Sequence, residues 1–185
     1  MPTLPYKRLL TAAEFAALPR TGLRTELIGG TIAAQPPAFG DHGEIAIHLG
    51  VILGHYVLAH TLGEVYAAGT GFLIERDPDT VRAPDFAFIR KERVPAPSGK
   101  PGWVSVMPDL VAEVVSSGDR VAEIGEKVAM WLRVGVRLVL VAWPQRREIE
   151  VYRPDMPLAT LREDDMLDGY DVLPGFSAAV ARVYR

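Results

Sequence analysis

The sequence predicts an α/β fold in which helices flank a central mixed β-sheet, with a short N-terminal helix and a β-hairpin added to it. Three observations support this. Apolar residues recur at helical spacing in two separate segments. Apolar or alternating runs of strand length lie between and after these segments. The 185 residues, 49% of them hydrophobic, are enough for a substantial core, so we interpret residues 1–185 as one domain.

The N-terminal part predicts one helix and one hairpin. Thr11 and Glu14 have the T-x-x-E spacing of a capping box, and Pro19 ends the helix that they begin. In the stretch RTELIGGTIAAQPP, the dipeptide Gly29-Gly30 separates two short strand-like runs. A glycine pair suits the two-residue turn of a hairpin.

The middle of the chain predicts alternating helices and strands. An amphipathic helix runs from Glu44 to about His60 and is followed by the strand-like segments EVYAAGTGFLIE and APDFAFI. The Pro/Gly-rich loop VPAPSGKPG leads to PDLVAEVV, and a second amphipathic helix ends near Gly135. VRLVLVAW is continuously apolar, as strands covered on both faces are, whereas REIEVYR alternates. The tail from Asp164 shows no clear pattern except a turn at LPGF, which we expect to pack against the core.

Composition excludes several classes of site. The net charge of −3 and the pI near 5.8 argue against a general electrostatic attraction to nucleic acid, although a local basic strip is compatible with them. The chain has no cysteine, so thiolate zinc sites and cysteine nucleophiles are excluded. We see neither a signal peptide nor a membrane-spanning apolar run, and we expect a cytoplasmic protein with no membrane partner.

Glu113 lies inside the apolar strand LVAEVV. Strand alternation places Val111, Glu113 and Val115 on one face, where an ionised carboxylate costs several kcal/mol unless it is paired, protonated or bound to a metal. Asp85 begins another apolar strand and is the best candidate to lie opposite Glu113. Two neighbouring carboxylates repel unless they share a cation or a proton, and a hard divalent ion such as Mg²⁺ satisfies this requirement.

Lys127 is the third candidate, because it lies at the flank of the second helix, where a long side chain can extend toward the strand ends. Each residue also has a purely structural explanation. A Pro-Asp pair by itself is typical of a turn. Glu113 can pair with a buried arginine such as Arg82 or Arg137, and Lys127 can pair with Glu123 on its own helix.

Several segments follow one another in a characteristic order: ELIGG, a central helix begun near His42, APDFAFI, PDLVAEVVS, GEKVAMWLRVGVRLVLVAWP, EIEVYR and LPGF. In this order they resemble the Uma-two family, whose members have a restriction-endonuclease-like fold of the PD-(D/E)XK superfamily. The resemblance spans about positions 11 to 180. It implies Mg²⁺-dependent cleavage of phosphodiester bonds, with Mn²⁺ able to substitute, and a homodimer that acts on nucleic acid, DNA being favoured. By position, Asp85 matches the motif aspartate, Glu113 the second acidic residue, and Lys127 the lysine that this family carries on the following helix.

The sequence departs from these patterns at two places. The superfamily spacing Glu-x-Lys would put lysine where Val115 stands. The hairpin, typically ELIDG in the family, reads ELIGG here, although Glu26 remains as either a carboxylate near the metal or a structural strand residue. His42 and Glu44 precede the long helix and are further candidates near the metal, with helix N-terminal stabilisation as the alternative for Glu44.

The leading hypothesis is therefore a Mg²⁺-dependent nuclease. Asp85 and Glu113 are its predicted metal ligands, and Lys127 and Glu26 complete the predicted catalytic set. Arg82 or Arg120 is predicted to contact the phosphate. A basic rim of the cleft is predicted at Lys91 and at Arg93 with the rest of RVPAPSGK. The competing hypothesis is an inactive binding or assembly module on the same fold.

Two further hypotheses are unfavourable. A serine hydrolase is not supported, because Ser116 and Ser117 lack a G-x-S-x-G turn and no histidine follows His60. A zinc site formed by His48 and His55 is not supported either, because the two residues are about two helical turns apart and too far from each other to share one ion.

Overall fold

The computed structural model describes residues 8–19, 23–96 and 101–185. Its α-helices are α1 (Ala12–Ala16), α2 (Gly40–Ala59) and α3 (Val121–Arg133). The strands are β1 (Arg24–Ile28), β2 (Thr31–Gln35), β3 (Gly63–Ala67), β4 (Phe72–Glu75), β5 (Thr80–Arg82), β6 (Phe86–Arg90), β7 (Leu110–Val114), β8 (Leu138–Trp143), β9 (Glu148–Tyr152), β10 (Ala159–Leu161), β11 (Met166–Asp168) and β12 (Ser177–Ala179).

The central sheet has six strands in the order β10-β9-β8-β7-β6-β3. The pair β7–β8 is parallel and α3 connects its strands, whereas the neighbouring pairs are antiparallel. Residues of α2 such as Leu49 pack with Leu110 on one face of this sheet, and residues of α3 such as Trp131 pack with Val111 on the other. The prediction of a central mixed sheet flanked by helices is therefore confirmed.

The hairpin belongs to a second sheet of four strands, in the order β2-β1-β5-β4. Gly29 and Gly30 form its turn with φ of 53° and 75°, a pair of left-handed conformations that glycine adopts without steric cost. Helix α1 has the predicted capping box between Thr11 and Glu14. Its Phe15 stacks on Trp103, with ring centroids 5.4 Å apart.

Several details differ from the sequence prediction. Helix α2 begins at Gly40, four residues before the predicted start at Glu44. The tail contains β11 and β12, which the pattern did not predict. The LPGF turn does pack against the core, where Leu173 and Phe176 are buried. None of the described helices has the length and apolar character needed to cross a membrane.

Candidate active site

Asp85 and Glu113 occupy adjoining positions at the same end of β6 and β7. The two strands are antiparallel and pair Phe86 with Ala112, so the next position along each strand places Asp85 beside Glu113. Both residues are buried, with 7% and 3% of their surface exposed. As the alternation predicts, Val111 and Val115 pack on the α3 side of the sheet, the side to which the Glu113 carboxylate also turns.

The Glu113 carboxylate is held by two side chains of α3. Lys127 Nζ donates to Oε2 at 2.7 Å, and Trp131 Nε1 donates to Oε1 at 2.9 Å. Burial raises the pKa of Glu113, and the nearby charge of Asp85 raises it further, against the lowering effect of Lys127. The partner of Glu113 is thus Lys127 rather than Arg82 or Arg137.

The Asp85 carboxylate has contacts from three other elements. The Val114 N–H of β7 donates to Oδ2 at 2.9 Å, and His42 Nε2 of α2 lies 3.3 Å from the same oxygen. Arg24 of β1 donates to Oδ1 at 3.1 Å. Burial acts to raise the pKa of Asp85, but the contacts with His42 and Val114 and the charge of Lys127 outweigh it and lower the pKa to about 2. Asp85 is therefore ionised at neutral pH.

Glu26 and Arg82 extend the cluster beyond Lys127. Glu26 Oε1 accepts from the Ala83 N–H at 2.7 Å, and Oε2 lies 3.5 Å from Arg82 Nε. Burial acts to lower the pKa of Lys127, but the charges of Glu113 and Glu26 raise it above its usual range, so the ammonium keeps its proton. Arg82 Nε is buried and has no hydrogen-bond partner among the described residues.

Other predicted site residues lie elsewhere. Glu44 is exposed, and Arg120 pairs with Glu123 at the surface. Lys91 and Arg93 follow the end of β6 that is opposite to Asp85, where Arg93 pairs with Asp109 at 2.6 Å. They therefore do not form a basic rim around Asp85 and Glu113. Residues 97–100 of the predicted basic loop lie outside the described residues.

Arg24 and Trp131 were not predicted as site residues. The ring of Trp131 packs in the core while its N–H donates to Glu113. Arg24 is two residues before Glu26 and shares its face of β1, so strand alternation was the signal that could have identified it.

Comparisons with known proteins identify the family and the fold of the chain. The profile of the Uma2 family, described as "Putative restriction endonuclease", matches residues 12–181. A crystal structure of a "putative nuclease belonging to DUF820" from Anabaena variabilis ATCC 29413 superposes with a TM-score of 0.82 and 18% sequence identity, covering 95% of this chain and 97% of that chain. At that identity the superposition shows a shared fold. No curated protein matches the chain. Because the family profile spans nearly all of the sequence, the chain belongs to the Uma2 family of restriction-endonuclease-like proteins.

Proposed function

We propose that this protein is a Mg²⁺-dependent nuclease that hydrolyses phosphodiester bonds of DNA, and that Asp85 and Glu113 hold the ion. The proposal depends mainly on one observation. Two buried carboxylates adjoin on β6 and β7, and a protonated lysine lies 2.7 Å from one of them. Membership of a family described as "Putative restriction endonuclease" supports the same reaction class.

The donor set fits a hard divalent cation. Mg²⁺ prefers carboxylate oxygens and commonly takes one or two of them while it keeps several waters. Burial and the charge of Asp85 raise the pKa of Glu113, and a shared cation would relieve both effects. Within the described residues no three His, Asp or Glu side chains are grouped to hold a metal ion, so Asp85 and Glu113 are the two ligands that the protein would supply. Mn²⁺ accepts the same oxygen ligands and is expected to substitute.

The bound cation would supply a water of lowered pKa and would stabilise negative charge on the phosphate. The roles of the protein side chains follow from their charges. Lys127 keeps its proton, so it acts as a cation that orients the attacking water or the phosphate, and it does not act as a general base. Arg82 is the proposed phosphate contact, because its buried Nε has no hydrogen bond among the described residues, although its charge is paired with Glu26. Glu26 is proposed to position both cations through its charge.

Calorimetric titration with Mn²⁺ and Mg²⁺ tests the metal site before any substrate is known. We expect the wild type to bind, and Asp85→Asn and Glu113→Gln to lose binding. Asp109→Asn is the matched control, because Asp109 is also a buried, ion-paired aspartate but lies at the other end of β7. Plasmid, oligonucleotide and RNA substrates then test cleavage. Lys127→Met should bind metal and cleave about 100-fold more slowly or worse.

The competing function is an inactive binding or assembly module. One observation favours it: the oxygens of Asp85 and Glu113 already have partners within the protein. If the wild type binds no ion at millimolar concentration, or if Asp85→Asn and Asp109→Asn behave alike, the nuclease proposal fails and this module becomes the function to pursue.

The homodimer implied by the family resemblance and the cytoplasmic location expected from the sequence stay predictions. Sedimentation velocity of the purified chain tests the dimer, and fractionation of the source cells tests the location.

A further inference from the structure

A cavity of about 680 Å³ opens directly beside Asp85. Its polar end is formed by Asp85, His42 and Arg24, which also belong to the candidate active site. Its other walls are apolar and include Phe86 and one face of α2, where Ile47 is 60% exposed. A concave apolar site with a few convergent polar groups is the usual form of a small-molecule subsite.

The wall formed by α2 contains two glycines, Gly43 and Gly50. Glycine within a helix is unfavourable relative to alanine. No close contact in the fold requires it here, because a Cβ on Gly43 would meet nothing within 4 Å and one on Gly50 would meet only Phe86, at an ordinary 3.8 Å. The two glycines therefore lower the stability of the helix. Because they have no side chains, they keep the volume of the cavity open.

We propose that this cavity receives an unpaired nucleobase of the substrate strand, next to the phosphate that the candidate active site would cleave. The inference rests on the proposed nuclease function and names its substrate class: nucleic acid with at least one unpaired base at the site.

Two features of the cavity support this occupant over others. The cavity is bounded by Asp85, one of the two proposed metal ligands, so a strand whose phosphate lies at Asp85 brings its own base to this position. Arg24 pairs with Asp85 yet its side chain is 37% exposed, which leaves part of the guanidinium free for a phosphate oxygen. A paired base has its faces covered by stacked neighbours and its edge occupied, so only an unpaired base can place its ring in the cavity, against the exposed face of α2 around Ile47.

Fluorescence anisotropy tests the proposal, with Ca²⁺ in place of Mg²⁺ to prevent cleavage. The probes are a labelled 20-nucleotide DNA strand, the RNA strand of the same sequence, and the DNA strand annealed to its complement. We expect the wild type to bind a single strand at least about 10-fold more tightly than the duplex. Gly43→Leu fills the cavity and should remove most of that difference, while it raises the melting temperature of the protein by about 2 °C.

Gly125→Leu is the matched control, because Gly125 is an exposed helical glycine of α3 with an equally open Cβ position. It should gain similar stability and keep the preference for single strands. The proposal is overturned if duplex binds as tightly, if no probe binds, or if Gly43→Leu binds single strands as the wild type does. It is also overturned if Gly43→Leu converts a wild-type dimer to a monomer, since the cavity would then hold a second copy. A protein that binds single strands through this cavity but cleaves none with any ion would refute only the nuclease function.

Discussion

The backbone N–H of Val114 donates a hydrogen bond to Asp85 Oδ2 at 2.9 Å. Val114 follows Glu113 on β7, so this bond fixes one carboxylate of the pair relative to the strand that carries the other. The position of Asp85 is therefore determined by the ladder of the central sheet as well as by its charged neighbours.

Substitutions of Asp85 should consequently differ in stability although both remove the negative charge. Asparagine keeps an oxygen that can accept from the Val114 N–H, whereas alanine leaves that buried donor without a partner. We expect Asp85→Ala to be less stable than Asp85→Asn by about 1–3 kcal/mol in urea unfolding. Equal stability of the two variants would show that the bond contributes little.

The Lys127–Glu113 pair should show strong coupling in a double-mutant cycle. Each side chain is mostly buried, with 16% and 5% exposed, so the removal of one partner leaves the other charge uncompensated. Lys127→Met and Glu113→Gln should each cost about 3 kcal/mol or more, and the double variant clearly less than their sum. Urea unfolding of the wild type, the two single variants and the double variant gives the four free energies of the cycle. An additive result would contradict a close buried pair.

Trp131 should affect metal binding through Glu113. Trp131→Phe keeps an aromatic ring in the core but removes the indole N–H that donates to Oε1 at 2.9 Å. If Glu113 is a metal ligand, we expect Mn²⁺ affinity to fall about 10-fold or more, because such orienting bonds tune their ligands. Trp143→Phe is the control, since Trp143 is a buried tryptophan of the same core cluster whose Nε1 has no partner among the described residues. The two variants should differ in affinity, and equal affinities would contradict the proposed role.

Tyr184 should make the protein less stable in alkali. Burial raises the pKa of Tyr184 above its ordinary range, and that of Tyr152 is raised to about 12 by burial and by Glu150. Above about pH 10 the unfolded tyrosines lose protons while the folded ones keep them, so the unfolded state binds fewer protons and the free energy of unfolding falls as pH rises.

Tyr184→Phe should show a smaller loss of stability between about pH 10 and pH 12 than the wild type. At neutral pH it should be less stable, because the hydroxyl donates to the Glu148 carbonyl. Urea unfolding at a series of pH values measures both effects, and parallel pH profiles of the two proteins would contradict the prediction.

Most of the central sheet was predictable because β3 and β6 to β9 have five or six residues that are apolar, as in VRLVLVAW, or that alternate, whereas its edge strand β10 has only three residues and was not predicted. The same property made Glu113 conspicuous in LVAEVV. Strand β5 was not predictable, because Thr80–Arg82 has three residues and follows directly on a turn, which is too short for an alternation to be recognised. Its pairing with β1 and β4 depends on contacts that are distant in sequence.

The site was predictable in part for a related reason. Asp85 and Glu113 interrupt apolar strands, which is visible in the sequence. Arg24 and Trp131 are ordinary residues for a strand end and for a helix core, and only the folded chain brings them to the carboxylates. The direction of Lys127 was equally open, since a residue at the flank of a helix can turn to water or to the sheet.

The bond between Arg24 and Asp85 joins the two sheets, because Arg24 begins β1 of the four-stranded sheet and Asp85 precedes β6 of the six-stranded one. The charge of Glu26, which also lies on β1, raises the pKa of Lys127 on α3, the helix that packs on the six-stranded sheet. The cluster therefore balances its charges only when both sheets are assembled. A chain shortened to begin after Gln35 would keep Asp85, Glu113 and Lys127 but would leave Asp85 with one cation fewer, so the hairpin is an electrostatic component of the site.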